Sequence, residues 1–444
     1  MKILKFGGTS VGSVERIQAL AGLIDNEDPK IVVLSAMSGT TNSLVEIAHA
    51  LYAKDNEKAK QLINNLQANY HDVVSALYKS EKALLKGKEL IKAHFDYIHS
   101  FTWDLFTIYE ERAVLAQGEL LSTALVQFYL EEQKINSVLL PALNFMRIDE
   151  NEEPDVKFIE ENLKNELSKY PGTKLFITQG YICRNAFGEI DNLKRGGSDY
   201  SASLIGAGAD AEEIQIWTDI DGMHNNDPRV VDNTYPIAEL SFDEAAELAY
   251  FGAKILHPSS VLPAKLKNIP VRLLNTMQPE ARGTLISAVA SGNNIKAVAA
   301  KDGIVAIKIK SGRMLLAHGF LRAVFEVFER YKTSIDMITT SEVAVSLTID
   351  NTTHLKEIVE ELKKFGSVEV DDNQTIVCIV GDFLAEKTGY AVKIFEAMKT
   401  IPIRMISYGG SKNNISLLVD GNHKKAALQA LNQGLFLNER MRIN

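Results

Sequence analysis

Cysteine is nearly absent from this chain: Cys183 and Cys378 are the only two in 444 residues. Two thiols so far apart exclude a disulfide-stapled or cysteine-caged scaffold and fit a reducing compartment. Proline is also scarce and missing altogether between residues 43 and 134, where glycine is rare too. The commonest helix breakers are thus withheld from one long stretch. No apolar run reaches the roughly 20 residues that a membrane helix needs. No charged-then-apolar leader opens the chain, so a soluble, cytoplasmic protein without a membrane partner is expected. Positive charge is in deficit, with 48 Lys and Arg against 57 Asp and Glu and a formal net charge of −9. That argues against a nucleic-acid binder, which needs a basic footprint. It leaves room for small anionic substrates, which need only a few local cations. The length allows two or three domains with ordinary cores.

The most informative stretch is the first dozen residues. Ile3 and Leu4 have strand character, and Lys5-Phe6-Gly7-Gly8-Thr9-Ser10 follows. From Ser13 a helical run (Val14, Ile17, Leu20, Ala21) begins. Strand, glycine turn and helix in that order suit a bulky anion, because the glycine backbone approaches closely and the helix N-terminus is partly positive. The lysine precedes the glycines, unlike the usual nucleotide loop. A plain turn reads the same way.

Further along, Ile31 to Leu34 reads as a buried parallel strand, and Ser35 to Asn42 as a hydroxyl-rich loop ahead of a helix. That loop serves equally as a ligand loop or as a helix cap. Residues 43–134 repeat apolar side chains every three to four positions, giving several helices. Within them Gln117-Gly118-Glu119 reads as the head of a helix ending near Glu132. A first-turn glutamate there would complement the helix dipole. Strands are expected at 138–140 and 175–180, a helix at 155–169 and a hairpin over 181–192. A second double glycine follows in Arg195-Gly196-Gly197-Ser198-Asp199, with a helix from Ala202 to Ala209. Arginine grips a carboxylate or phosphate through two nitrogens at once. Ile214 to Asp219 is the next strand, and 241–253 a helix. His257 before Pro258 reads as a cap, 269–274 as the last strand of this region, and 287–294 as a linker.

Beyond the linker the chain repeats. Gly319 to Asp350 aligns with Gly389 to Asp420 at an offset of 70, slipping to 68 where Met337-Ile338 meets Met405-Ile406. Each copy reads strand, helix, strand, strand, helix. Units this small need to pack together. Neither copy carries a catalytic cluster, so regulation or dimerisation is the expected role.

Taken together, these motifs resemble aspartate kinases of the amino acid kinase superfamily. The resemblance rests on Lys5 to Val11, Leu34-Ser35-Ala36 with Thr41-Asn42, Gly118-Glu119-Leu120, Arg195 to Asp199, Trp217-Thr218-Asp219 and Phe251 to Pro258. It implies an α/β fold: an open, mainly parallel sheet sandwiched by helices over 1–290. Two C-terminal α+β ACT modules follow, 295–372 and 373–437, the first completed by a strand at 438–443. The implied reaction moves the γ-phosphoryl group of ATP, with Mg2+, onto L-aspartate to give 4-phospho-L-aspartate.

By the same resemblance Lys5 neutralises the transferring group and Asp199 orients Lys5. Gly7, Gly8 and Ser10 cradle phosphates. Thr218, Asp219, His224, Arg229 and Lys254 lie on the nucleotide side. Glu119 takes the substrate amine, Arg195 its α-carboxylate, and Ser35, Thr41 and Ser198 the remainder. The metal is held mainly by ATP phosphates. The helical stretch resembles the lysine-inhibited class, which implies an effector site at Met314, Gly319, Phe320, Leu321, Ser334, Asp336, Thr340, Ser341 and Glu342. Lysine is the expected effector and threonine the runner-up. A homodimer or higher homo-oligomer through the ACT modules is implied. The chain departs from the pattern at His224, where many relatives have tyrosine, and at Leu316 and Ala317, where polar residues are common. Its end at Asn444 implies that no homoserine dehydrogenase domain follows. A kinase for another amino-acid carboxylate such as glutamate, and a non-catalytic amino-acid-binding regulator, are the rival readings.

Overall fold

The computed structural model describes residues 1–193, 196–252, 257–289, 294–312, 318–382 and 388–437. Two compact units emerge. The first holds residues 1–223, 238–242 and 257–289. The second holds 224–237, 243–252 and the described residues from 294 onward.

Chain order in the first unit begins β1 (Lys2–Phe6), α1 (Val14–Ile24), β2 (Lys30–Leu34). Four helices follow: α2 (Thr40–Tyr52), α3 (Asn56–Leu77), α4 (Glu81–Ser100) and α5 (Ile108–Glu132). Then come β3 (Val138–Leu140), α6 (Val156–Ser168), β4 (Leu175–Gln179), the hairpin β5 (Ile182–Arg184) and β6 (Ile190–Asn192), α7 (Gly197–Gly208) and β7 (Glu213–Thr218). The first unit closes with β8 (Glu239–Ser241), α9 (Leu262–Lys267), β9 (Val271–Asn275) and β10 (Thr284–Ser287), while the intervening α8 (Phe242–Tyr250) belongs from Asp243 onward to the second unit.

Its main sheet runs β3-β4-β2-β1-β7-β9-β10-β8, and only the β9–β10 pair is antiparallel. β1 and β2 are apolar on both faces because helices cover both. Leu4, Phe6, Val32 and Leu34 pack into a core with α1 to α5. The alternate positions face α7, where Gly206 leaves room for Ile214 and Ile3. Lys5 shares the parity of Ile3, so strand alternation alone aims it at the α7 side. Two expectations change here. The strand at 269–274 is not the last, since β10 follows it and β8 joins the same sheet edge. The helix expected from Ala202 already begins at Gly197.

The second unit contains β11 (Ile295–Lys310), α10 (Phe320–Arg330), β12 (Ile338–Thr340), β13 (Ala344–Ile349) and α11 (Leu355–Leu362). The second copy repeats the order with β14 (Ser367–Gly381), α12 (Tyr390–Ala397), β15 (Met405–Tyr408), β16 (Asn414–Asp420) and α13 (Lys424–Asn432). Both copies share one sheet, β12-β13-β11-β14-β16-β15. The long strands β11 and β14 pair along their length, with register shifts between Lys301 and Ala306. The boundary placed at 372/373 therefore falls inside the unbroken strand β14. The strand expected at 438–443 lies outside the described residues.

Residues 224–237 also join this unit. Asn225 Nδ2 donates to Asn432 Oδ1 at 3.2 Å, and Asn226 Nδ2 to the Leu428 carbonyl at 3.0 Å. Val231 is buried in the second copy's core, with Tyr235 packed against it.

Candidate active site

Register brings four strand ends of the first unit to one level. Phe6 lies opposite Leu34 and Trp217, and Leu34 opposite Gln179. β1 is the switch point: the chain leaves it towards β2 on one side and returns to β7 on the other. Ligands in open α/β sheets bind beyond the carboxyl ends of strands at such a point. A cleft of about 520 Å³ opens there. Gly8, Thr9, Ser35, Thr41, Glu119, Ser198, Thr218 and Asp219 line it, together with Tyr181 and Gly197.

Lys5 and Asp199 meet beside this cleft. The ammonium lies 2.6 Å from Asp199 Oδ1, with the side chains only 12% and 17% exposed. Asp199 Oδ1 makes no aligned hydrogen bond, so the contact is an ion pair. A cation held this way is positioned without being used up, since an ammonium has three donors. Close approach shapes the floor. A Cβ on Gly8 would sit 2.9 Å from the Ala36 carbonyl oxygen, so a larger residue would push the first loop away from the second. Gly196 precedes α7 with φ +73°, and a Cβ there would lie 1.9 Å from Ser260 Oγ. Only glycine fits on both counts.

Glu119 is the unusual group. It is not at a helix head, as its neighbouring glycine suggested, but midway along the continuous α5. Gly118 is there for space: a Cβ would meet the Ala36 Cβ at 2.7 Å. The side chain is 4% exposed. Oε1 accepts from the Ala36 N–H at 3.1 Å, and Oε2 is buried without a hydrogen-bond partner. Burial pushes its pKa up to about 7, against the Ala36 N–H and the positive charge of Lys5. Its backbone is braced too. Thr123 Oγ1 donates to the Glu119 carbonyl at 2.7 Å and accepts from Gln179 Nε2 at 2.8 Å, while Ser122 Oγ donates to the Ser35 carbonyl at 2.8 Å. A rigid, half-satisfied carboxylate in a cleft is an acceptor for a ligand cation.

Ser10, expected to cradle phosphate, does not line the cleft. Ser10 is 1% exposed, and its hydroxyl pairs with Thr276 Oγ1 at 2.7 Å. The single 3-10 turn from Gly8 to Val11 swings it inward, and Thr9 lines the cleft instead. His224 and Arg229 belong to the second unit. There His224 Nδ1 lies 3.0 Å from Thr234 Oγ1, and Arg229 grips Asp227 with two nitrogens at 2.9 and 2.8 Å. Arg195, Lys254, Met314, Leu316 and Ala317 lie outside the described residues. His257 caps the 3-10 turn at Pro258–Val261, accepting from the Ser259 N–H at 3.2 Å.

Tyr181 was missed by sequence reasoning. It holds φ +66°, a backbone state that a bulky residue rarely adopts, at the rim of the cleft. Its position just after Gln179-Gly180, at the end of a buried strand, was the available signal.

Of the expected effector residues, Gly319 caps α10 with φ +85°, and Phe320 and Leu321 open that helix. Ser334 and Asp336 precede β12, Thr340 ends it, and Ser341 donates its N–H to the Ala344 carbonyl in the turn that holds Glu342.

A largely parallel sheet with a lysine at its switch point, a glycine turn and a buried acid across the cleft make up the candidate site. The amino acid kinase family model matches residues 1–275 and an ACT domain model residues 377–435. The lysine-sensitive aspartokinase 3 of Escherichia coli K12 is 32% identical over 458 residues, covering 98% of this chain and 99% of that protein. The structure of E. coli aspartokinase III with aspartate and ADP, in the R-state, superposes with a TM-score of 0.85 at 31% identity over 98% of this chain and 100% of that one. Its lysine and aspartate complex, in the T-state, gives 0.81 at 31% identity, with 98% and 99% covered. The chain belongs to the amino acid kinase family, in its aspartokinase branch with C-terminal ACT domains.

Proposed function

We propose that the chain, an ATP-dependent aspartate kinase, transfers the γ-phosphoryl group of ATP to the side-chain carboxylate of L-aspartate and releases ADP. The observation that carries this reading is the Lys5–Asp199 ion pair beside the cleft that Glu119 lines. Phosphoryl transfer needs in-line positioning and charge neutralisation more than covalent help. Glu119 Oε2 receives the substrate ammonium, and Ser35, Thr41 and Ser198 offer hydroxyls around it. The Lys5 ammonium, aimed by Asp199, neutralises charge on the transferring group. The glycine turn and Thr9 face the phosphates. Among the described residues no three acidic or histidine side chains converge as a metal cage. Mg2+ arriving with the nucleotide would be held mainly by its phosphates and would neutralise charge there.

An assay of ADP release with aspartate, glutamate and N-acetylglutamate tests the reading. Turnover is expected with aspartate alone. Equal turnover with glutamate would reassign the acceptor. We further propose feedback inhibition by lysine through the first ACT module, supported by a relative matched over 99% of its own length that is named lysine-sensitive. An inhibition screen with lysine, threonine and methionine checks it, and lysine is expected to inhibit at the lowest concentration.

A further inference from the structure

The glycine turn of the candidate site is held from beneath. The β1–β7 register ends at Phe6 and Trp217, and the Gly7 N–H reaches the Trp217 carbonyl at 3.2 Å. Two lips of the cleft begin there, with Gly8 and Thr9 on one and Thr218 and Asp219 on the other. Thr276, just past the end of β9, is tied to both. Its N–H donates to the Thr218 carbonyl at 2.8 Å. Its Oγ1 lies 2.7 Å from Ser10 Oγ, across 266 positions of sequence. Both side chains are buried, and neither lines the cleft.

Stability alone does not call for hydroxyls here. Val11 and Leu274, close to the pair in sequence, belong to the apolar core that holds Phe6 and Trp217. Two apolar side chains of similar size would fill the space at little cost, whereas one hydroxyl without the other is stranded. A buried hydroxyl pair fixes a distance and a direction, which apolar contact does not. On its other side the turn is set by the close approach of Gly8 to Ala36. Packing thus places the turn against the Ser35–Ser38 loop, and Thr276 places it against the end of β7.

We propose that Thr276 is a positioning residue for the nucleotide. It touches no substrate. Through Ser10 and the Thr218 carbonyl it sets the separation of the two lips between which the phosphates lie. This rests on the reading above that the glycine turn faces the phosphates of ATP. Ser10 thereby takes a different part from the one its motif implies: its hydroxyl locates the turn instead of binding phosphate. Phosphoryl transfer depends on such spacing, because a reacting group displaced by a fraction of its bond distance is out of line. The aspartate end is braced separately, by the Ala36 N–H and Thr123 around Glu119, so its affinity should not follow.

The test uses the full-length chain, with KM for ATP and for aspartate from initial rates and Kd for ADP from calorimetry. Thr276→Val keeps the shape and the N–H and removes the hydroxyl. Ser10→Ala removes the other half of the pair, should the valine variant fold poorly. Thr276→Ser keeps the hydroxyl. Thr276→Val and Ser10→Ala are each expected to raise KM for ATP and Kd for ADP about fivefold or more, and to leave KM for aspartate within about twofold. Thr276→Ser should stay near the parent. The double variant should bind ADP no more weakly than either single one, because the two hydroxyls act as a unit. Unchanged ADP affinity in both single variants overturns the inference. So does a lower Tm and kcat with KM for ATP unmoved, the mark of a purely structural pair. Additive losses in the double variant overturn it too, since Ser10 would then meet the phosphates by itself, and so does an equal rise in KM for aspartate. If the parent binds ADP without phosphorylating aspartate, the acceptor reading fails and the ADP affinities still decide the role of Thr276. A parent that binds no ADP sinks both.

Discussion

Glu119 carries a stability cost that the proposed aspartate-binding role would explain. With its pKa pushed up to about 7 by burial, it stays protonated in the empty site where an exposed glutamate would already be charged. Aspartate's ammonium needs the ionised form. KM for aspartate should therefore rise up to about tenfold per pH unit below 7 and level off above it, with kcat much less affected. Initial rates between pH 5.5 and 8.5 check this, and a flat KM would place the amine elsewhere. The stability sign is opposite. Between its unfolded value of 4.5 and about 7, the folded chain holds the extra proton, so this residue's contribution falls as pH rises through that window. Glu119→Gln should raise the stability of the ligand-free enzyme at pH 8 by on the order of 2–3 kcal/mol while abolishing aspartate binding. Denaturant titration of both proteins reads the first effect. Lys5→Met should leave far-UV circular dichroism unchanged and lower kcat by roughly a hundredfold or more, the scale of losing a preorganised charge partner. Near-normal turnover would remove Lys5 from its role.

At the scale of elements, α5 shows where a local signal misleads. Gly118 read as a helix boundary, because glycine is a poor helix former. In the fold it lies mid-helix and admits the Ala36 loop. Gly118→Ala should therefore destabilise by about 1–3 kcal/mol despite alanine's better propensity, and raise KM for aspartate, since the Ala36 N–H that orients Glu119 must move. Combining it with Ala36→Gly should recover most of both losses. Equal stability of the single variant would show that the loop gives way freely. The same helix is the one described element long and apolar enough to cross a membrane, and 83% of that window is buried inside the fold. Periodicity was a sound guide to the other helices. α3 buries Ala59, Ile63, Leu66, Tyr70, Val74 and Leu77 at the three-to-four spacing of its sequence. The short strands β8 and β10 escaped because three or four residues carry too little period to read.

At the scale of the molecule, the family match to residues 1–275 and the compact units divide the chain differently. Residues 224–237 and 243–252 belong to the kinase stretch by sequence, yet pack with the C-terminal modules. Val231 and Tyr235 meet the second copy's core, and Glu247 accepts from Ser411 Oγ at 2.7 Å. A chain cut after residue 290 would expose this apolar surface. It should bind a hydrophobic dye and lose most kinase activity, where a simple appended regulator would leave an uninhibited enzyme. Full activity in the truncated chain would show that these segments refold on their own.

Lys5, the paired glycines, the buried strands and the C-terminal duplication are legible in the chain because each rests on near neighbours: a period, a turn or an internal repeat. Glu119's mid-helix position, the inward Ser10 with its Thr276 partner, strained Tyr181 and the shared sheet of the two modules were decided by the fold alone. Each depends on groups distant in the sequence whose burial and spacing no local pattern encodes, and it is burial that turns an ordinary acid into a poised ligand.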